Sequence, residues 1–311
     1  MRAGERIFYY DGNENWWSRG GSLGGTPIGD PCGPDSEVFY DFGPEHHDPA
    51  YGEAHPASDG GRFMEIGNQV FMQYRRLDDG TFAPLARRNV DFGGGLERIA
   101  AAAIHSADVF RISLLWPIVE KLEELTGRRY EDETHAMRIV VDHLRGATFL
   151  AVDGVRPSNK EQGYVMRRLL RRAIRLALSL GLNENFLGQI VPVIADLYAD
   201  DYPEVQQRRE EVIDVLVKEE RAFRRTIEAG LRAVSAFAGR TITGRDVFTL
   251  SDTNGFPKEL TIEEAGRLAI DIDPDWERDF DSALQAQRDR SRSTTRLGAA
   301  GLPGGVEVAG A

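Results

Sequence analysis

Three glycines stand between a carboxylate and a Glu-Arg pair in "RRNVDFGGGLERIAA", residues 87–101. Glycine removes side-chain bulk, so a flat ligand can lie against the main chain at Gly93-Gly94-Gly95. The helix predicted from Leu96 then offers its free N–H groups to an anion. Arg98, one turn inside that helix, has the guanidinium that pairs with phosphate or lies flat on a base. Asp91, just before the glycines, can hold an ammonium group. The run has neither the Gly-Lys-Ser/Thr ending of a phosphate-binding loop nor glycine at the first, third and sixth positions of the dinucleotide fingerprint. A tight turn with surface charges uses the same residues, so both uses stay open on this stretch alone.

A second group lies in "DGVRPSNKEQGYVMRRLLRRAIRLALSLGL", which starts at Asp153. Arg167, Arg171 and Arg175 recur every four residues, as do Arg168 and Arg172, which predicts a basic strip on consecutive helical turns. From Met137 to Arg175 nine cations stand against three acids, a balance of +6 in a chain of net charge -12. Such a strip can follow a nucleic-acid backbone, with an affinity that falls steeply with salt. Asn159, at the start of the helix, is placed to reach base edges in the shallow minor groove of A-form RNA. An arginine face paired with acids elsewhere is the other reading of the same charges.

His46, His47 and His55 lie in "PEHHDPAYGEAH", downstream of Cys32. No pair has the spacing of a recognised zinc site, so no metal is expected there. Cys32 lacks an identifiable base and reads as a loop thiol; as the single cysteine it excludes an internal disulfide and suits a reducing compartment.

The elements that must hold these groups follow from composition and period. A chain of 311 residues, 41% hydrophobic and 28% charged, has the make-up of about two ordinary globular domains. No apolar run approaches the ~20 residues of a membrane helix, and "MRAGERIFYYDGNENWW" lacks the order of a signal peptide. A cytoplasmic protein without a membrane partner is expected. The net charge argues against non-specific coating of nucleic acid, and no DNA partner is expected.

Residues 1–100 are rich in Gly, Pro and aromatics, with strand-like runs at 6–10, 37–40 and 68–74 and turns at Asp11-Gly12 and Asp79-Gly80. Beyond Gly95 the period becomes helical. Helices are predicted over 96–103, over 113–125 up to Gly127, from an N-cap at Thr134, and from Pro157-Ser158-Asn159 to Gly181. The longest stripe, 203–238, carries Val212, Leu216, Phe223, Ile227, Leu231 and Val234 and reads as a packing helix. Residues 286–311 are poor in large apolar groups, which predicts a flexible tail or linker.

"EIGNQVFMQYRR", "VDFGGGLERIAA", "VVDHLRGATFLAVDGVRPSNKEQGYVMRRLLRRAIR" and "FTLSDTNGFPKELT", in this order, resemble the latter catalytic half and the tRNA-recognition region of the alanyl-tRNA synthetases. "ENWWSRG" and "GDPCGPDSEVFYD" resemble the segment just before, and the likeness covers residues 13–265. It implies an α+β fold: part of a class II antiparallel sheet with the motif 3 helix over residues 1–105, then a mostly helical tRNA-recognition domain over 106–285. It also implies activation of alanine by ATP, with Mg2+, to alanyl-adenylate, and transfer of the acyl group to the 3' end of tRNA-Ala.

Carried over residue by residue, "GGGLER" is similar to motif 3, in which Arg98 and Glu97 contact ATP while Gly93 and Gly95 let alanine and adenylate sit against the chain. Asp91 would take the alanine ammonium, Asn68 would hydrogen-bond the amino acid, and Trp17 would wall the pocket. Asn159 and Asp252 match the positions that read the guanine-uracil wobble pair of the acceptor stem. Arg167, Arg168, Arg171, Arg172 and Arg175 would hold its phosphates. The sequence departs from the family at Gly67, where tryptophan is frequent, at Phe92 and Gly94, where threonine and methionine are common, and at Gln162, which replaces a frequent arginine. The first three put the pocket wall in question.

Motifs 1 and 2, the zinc-bearing editing domain and the oligomerisation region of the family have no counterpart in this sequence. The resemblance implies either a truncated gene model or one piece of a split enzyme whose missing portions another chain carries, and no zinc is expected in this fragment. Two functions follow: an alanine-tRNA ligase, or a free-standing acceptor-stem-binding module without adenylation activity. A ligase relative acting on another small amino acid ranks below both, because one methylene discriminates by only about 1–3 kcal/mol.

Overall fold

Strand alternation and one long hairpin build the first half of the molecule. The structure, a computed structural model, describes residues 2–253 and 255–299, with side chains up to residue 287. Strands β1 (Trp16–Trp17), β2 (Pro31–Asp41), β3 (Phe63–Arg76) and β4 (Phe82–Gly94) form an antiparallel sheet in chain order. The β3–β4 turn is closed by Leu77 N–H donating to Thr81 O at 2.8 Å and by Thr81 N–H donating to Asp79 Oδ1 at 2.9 Å. Trp16 pins the sheet end, stacked on Tyr74 and edge-on to Phe82 with centroids 6.1 and 5.3 Å away. Residues 6–10, expected as a strand, make a single bridge, Ala3 to Ile7; β-propensity without a neighbouring strand edge gives no ladder.

Register decides which side chains meet. Glu37 faces Asn68, which faces Gly93, while Val70 faces Asp91. Side chains alternate along a strand, so Glu37, Asn68, Asp91 and Gly93 share one face, and Gly67, Phe92 and Gly94 share the other. The sheet feeds α1 (Leu96–Ala103), beginning where the sequence predicts it.

The chain divides into two compact units between Pro117 and Ile118, later than the change at residue 105 that the sequence suggests. With α2 (Trp116–Thr126) spanning the division, the second unit is helical: α3 (Thr134–Val152), α4 (Glu161–Ser179), α5 (Leu187–Tyr198), α6 (Pro203–Gln207), α7 (Arg209–Ser235), α8 (Gly244–Thr253), α9 (Lys258–Arg267) and α10 (Trp276–Ala299). The fold is α+β. Its helical core joins Met137, Val140 and Leu144 of α3, Met166, Leu170 and Ile174 of α4, and Leu216, Phe223 and Ile227 of α7, all at most 1% exposed. Gly181, at φ +95, ends α4 and lets Leu182 N–H return to Ala177 O at 3.0 Å.

Three boundaries differ from the periodic reading. The stretch 203–238 is two helices, because Arg208 (φ -100, ψ 11) breaks the turn between α6 and α7. Helix α4 opens at Glu161, so Asn159 sits in the preceding loop, where Ser158 N–H donates to Gly163 O. The expected tail is helical as far as Ala299; residues 300–311 of it lie outside the described residues. Among the described residues no helix is long and apolar enough to cross a membrane.

Candidate functional site

On the sheet unit, β4 brings its glycines beside a polar row. A Cβ built on Gly93 meets nothing within 4 Å, so this position opens a space next to Asn68 and Asp91 on the same face. Asn68 Nδ2 donates to Asp35 Oδ2 at 3.0 Å and to Glu37 Oε1 at 3.1 Å. That leaves Asn68 Oδ1 and Asp35 Oδ1 buried without a partner. Buried acceptors without donors are costly and rare. A small ligand with several N–H donors, an ammonium above all, completes them. Asp91 is exposed and accepts only the N–H of Phe92, at 3.0 Å.

Trp17 is placed differently. It pairs with Gly33 on the edge strand β1, with β2 and β3 between it and Gly93. The departures at 67, 92 and 94 fall on the reverse face: the Phe92 ring lies 2.9 Å from an ideal Cβ at Gly67 and 3.1 Å from one at Gly94. Phe92 fills the room that a large side chain at 67 would take, so these changes compensate one another behind the sheet and leave the Gly93 face as it is. Asp35 and Glu37 were not singled out by the sequence. Their two-residue spacing in "PDSEVF" is the available signal, and it needs the register with Asn68 to mean anything.

Arg98 donates to Glu65 Oε2 at 2.9 Å and to Glu65 O at 3.1 Å, and is about half exposed. An exposed pair of this kind is worth about 0–1 kcal/mol, so a phosphate can displace it. Gly95 caps α1 without a side-chain hydrogen bond, the helix start carries a partial positive charge, and Glu97 sits in that first turn.

Burial pushes the Glu37 carboxyl up to about 6, helped by the negative charges of Glu65, Asp35 and Glu14 and opposed by the hydrogen bond from Asn68. A carboxyl raised in the folded state binds a proton there that the unfolded chain has already released. Its contribution to stability is therefore present below the unfolded value and lost as pH rises through about 6. Glu37→Gln is expected to flatten the fall of Tm between pH 4.5 and about 6 and to raise Tm at pH 7, read by thermal unfolding across that range. An unchanged pH profile would show that Glu37 titrates as a solvated carboxylate.

On the helical unit, the arginines of α4 do not form a free basic face. Arg171 Nε donates to Glu219 Oε1 at 2.8 Å, and Arg167 lies 3.3 Å from the same oxygen. Arg175 pairs with Glu264 at 2.5 Å, Arg172 with Glu263 at 2.5 Å and Arg168 with Glu259 at 3.6 Å. Desolvation is outweighed at Glu264 by hydrogen bonds from Arg267 and Arg175, which hold it below the ordinary carboxylate range. The five arginines of α4 are paired with acids far along the chain on α7 and α9, which corrects the expectation of an open strip.

These pairs brace the two polar residues that the sequence singled out. Arg167 donates to Asn159 Oδ1 and to Pro157 O, fixing the amide in its loop. Arg171 also donates to Gly255 O, holding the loop just after α8 to α4, and stacks on Phe223 at 4.9 Å. Asp252, on α8, accepts from Gln287 of α10.

Cys32 lies inside β2, fully buried, and burial followed by the Asp30 charge raises its thiol, so it is an inert strand thiol and not a loop one. Among the described residues no three His, Cys, Asp or Glu side chains are arranged to hold a metal ion.

The family model described as tRNA synthetases class II (A) matches residues 2–300. The chain is 38% identical over 301 residues to the alanine--tRNA ligase of Hydrogenovibrio crunogenus, covering 96% of this chain and 33% of that protein. Its identity is 37% over 275 residues to the enzyme of that name from Lactobacillus acidophilus, covering 84% and 31%, and 38% over 298 residues to that from Idiomarina loihiensis, covering 94% and 33%. The chain spans about a third of the length of these curated relatives. With a family match over nearly all of its length, and an antiparallel sheet whose last strand runs through glycines into the helix of Arg98, the chain belongs to the class II (A) tRNA synthetases.

Proposed function

We propose that the chain carries alanine-tRNA ligase chemistry, with alanine and its adenylate bound on the Gly93 face of the sheet unit and the acceptor stem of tRNA-Ala read by the helical unit. The observation that carries the first half is the pair of buried, unpartnered acceptors, Asn68 Oδ1 and Asp35 Oδ1, on the face opened by Gly93. The ammonium of alanine gives its protons to Asn68 and to Asp91. Its carboxylate oxygen attacks the α-phosphorus of ATP, pyrophosphate leaves, and the adenylate lies along the main chain at Gly93 and Gly95. Arg98 leaves Glu65 to meet the nucleotide, with Glu97 beside it. Positioning and charge stabilisation do this work without a general base. The carbonyl carbon of the adenylate is then attacked by a terminal ribose hydroxyl of tRNA-Ala, and AMP leaves. Magnesium that accompanies ATP is held largely by the phosphates and water and takes only one or two protein carboxylates, and no step here depends on it.

For the helical unit, Asn159 and Asp252 read the wobble pair while Arg167 and Arg171 position the loops beside them. Alanine-dependent ATP–pyrophosphate exchange by the 311-residue chain tests the reading. Exchange that is strongest with alanine and roughly 10–200-fold weaker with glycine or serine supports it. The separate compactness of the helical unit favours a second reading, an acceptor-stem-binding module without adenylation. Silence in the exchange assay, with tRNA-Ala binding that weakens when the wobble pair is replaced, selects that second reading.

A further inference from the structure

The cations expected to face RNA are paired, but others are not. Lys218, Arg221 and Arg225, on α7, are exposed and make no ion pair or hydrogen bond among the described residues. They line a groove of about 680 Å³ with Asp214 on the same helix and with Asn185 and Gly188 at the start of α5. Around α7, Glu219 turns to α4, and Ile213 and Val217 pack near Gly188 of α5. The three cations stand on the remaining, solvent-facing side, away from the α4 arginines.

Their spacing is unfavourable for the helix itself. Like charges three and four residues apart repel by about 0.2–0.5 kcal/mol per pair; of the acids at such spacings Asp214 precedes Lys218 by four, while Glu228, three beyond Arg225, is engaged by Arg232. At the start of α5 the N–H groups of Phe186 and Leu187 are already taken by the buried Glu220 carboxylate. A groove of net charge +2 in a chain of net -12 fits an anion with several charges in a row. Lys218 and Arg225 lie ~10 Å apart along the helix at 1.5 Å per residue, a span long enough to meet more than one phosphate of a single strand.

We infer that the α7–α5 groove holds the phosphate backbone of an RNA strand, independently of sequence; the identity of the polyanion rests on the tRNA reading above. The groove would set the affinity and salt dependence of RNA binding, and the Asn159 and Asp252 region its choice of stem.

The test is filter binding of two hairpins of equal length, one with the tRNA-Ala acceptor stem and its wobble pair and one unrelated, from about 50 to about 200 mM salt. The full chain is compared with the triple variant Lys218→Gln, Arg221→Gln, Arg225→Gln, with circular dichroism to show that the exposed changes leave the helices intact. The variant is expected to lose affinity for both hairpins by the same factor, ~10-fold or more at low salt, and to lose roughly 2 from the slope of log K against log salt. An unchanged slope in the triple variant, or no binding of either hairpin by the full chain, overturns the groove. Equal affinity of the full chain for both hairpins, with the slope loss intact, removes the acceptor-stem reading and leaves the groove standing.

Discussion

Arg171→Met is expected to destabilise the helical unit by about 2–4 kcal/mol, since it removes the nearer of the two cations on a buried carboxylate, a little less than a buried charge left wholly without a partner. The guanidinium is 14% exposed and Glu219, its partner, 8%. The methionine fills much of the volume but leaves Glu219 to Arg167 alone, removes the donor to Gly255 O and ends the stacking on Phe223. Burial lowers the Arg171 guanidinium from its ordinary value and the Glu219 charge offsets this, so the pair is held by its mutual geometry and not by solvent. Urea unfolding reads the loss. Arg168→Gln, at an exposed pair 3.6 Å long, is the contrast and is expected to change stability by less than about 1 kcal/mol. A cost for Arg171→Met as small as that would mean the pair is screened by water.

The same arginine shows why the sequence carries only part of this unit. Its helix was legible, since Met166, Leu170, Ala173 and Ala177 repeat at helical spacing and Gly181 ends them. Its partner was not, because Glu219 lies 48 residues away and Glu264 lies 89 residues from Arg175. A local count of charge cannot see an acid that only tertiary packing brings near. Lys218, Arg221 and Arg225 went unremarked for the opposite reason: they sit among Glu219, Glu220 and Glu228 in sequence, and the fold engages those acids with other partners, Glu219 with α4, Glu220 with Arg224 and the start of α5, and Glu228 with Arg232.

In the sheet unit, α1 and its glycines were legible from chemistry, whereas β4 was not read as a strand. "FAPLARRNVDFGG" has adjacent arginines and a proline where alternation should run, and most of it is exposed. It is a strand because the turn at 77–81 folds it back on β3, whose pattern is strong. Without the β2–β3 register, Asp35 and Glu37 in one segment and Asn68 in another are unrelated polar residues; with it they form one hydrogen-bonded row.

The register also makes the Gly93 face testable by size alone. Gly93→Val is expected to weaken binding of a non-hydrolysable alanyl-adenylate by ~100-fold or more, since displacing a reactant by about 1 Å costs that much in a fitted site. Stability should change by less than about 0.5 kcal/mol, because the new Cβ meets nothing within 4 Å and β-branched residues suit strands. Gly67→Ala should do the reverse. Its Cβ would stand 2.9 Å from the Phe92 ring on the other face, so the cost falls on packing, about 1–3 kcal/mol, while the ligand face is untouched. Calorimetric titration with the analogue and urea unfolding of both variants separate the two effects. If Gly93→Val bound the analogue as well as the parent chain does, the space beside Asn68 and Asp91 would not be where the adenylate lies. If Gly67→Ala lost binding instead, the substrate would belong to the face of Phe92, and the open acceptors at Asn68 and Asp35 would need another donor.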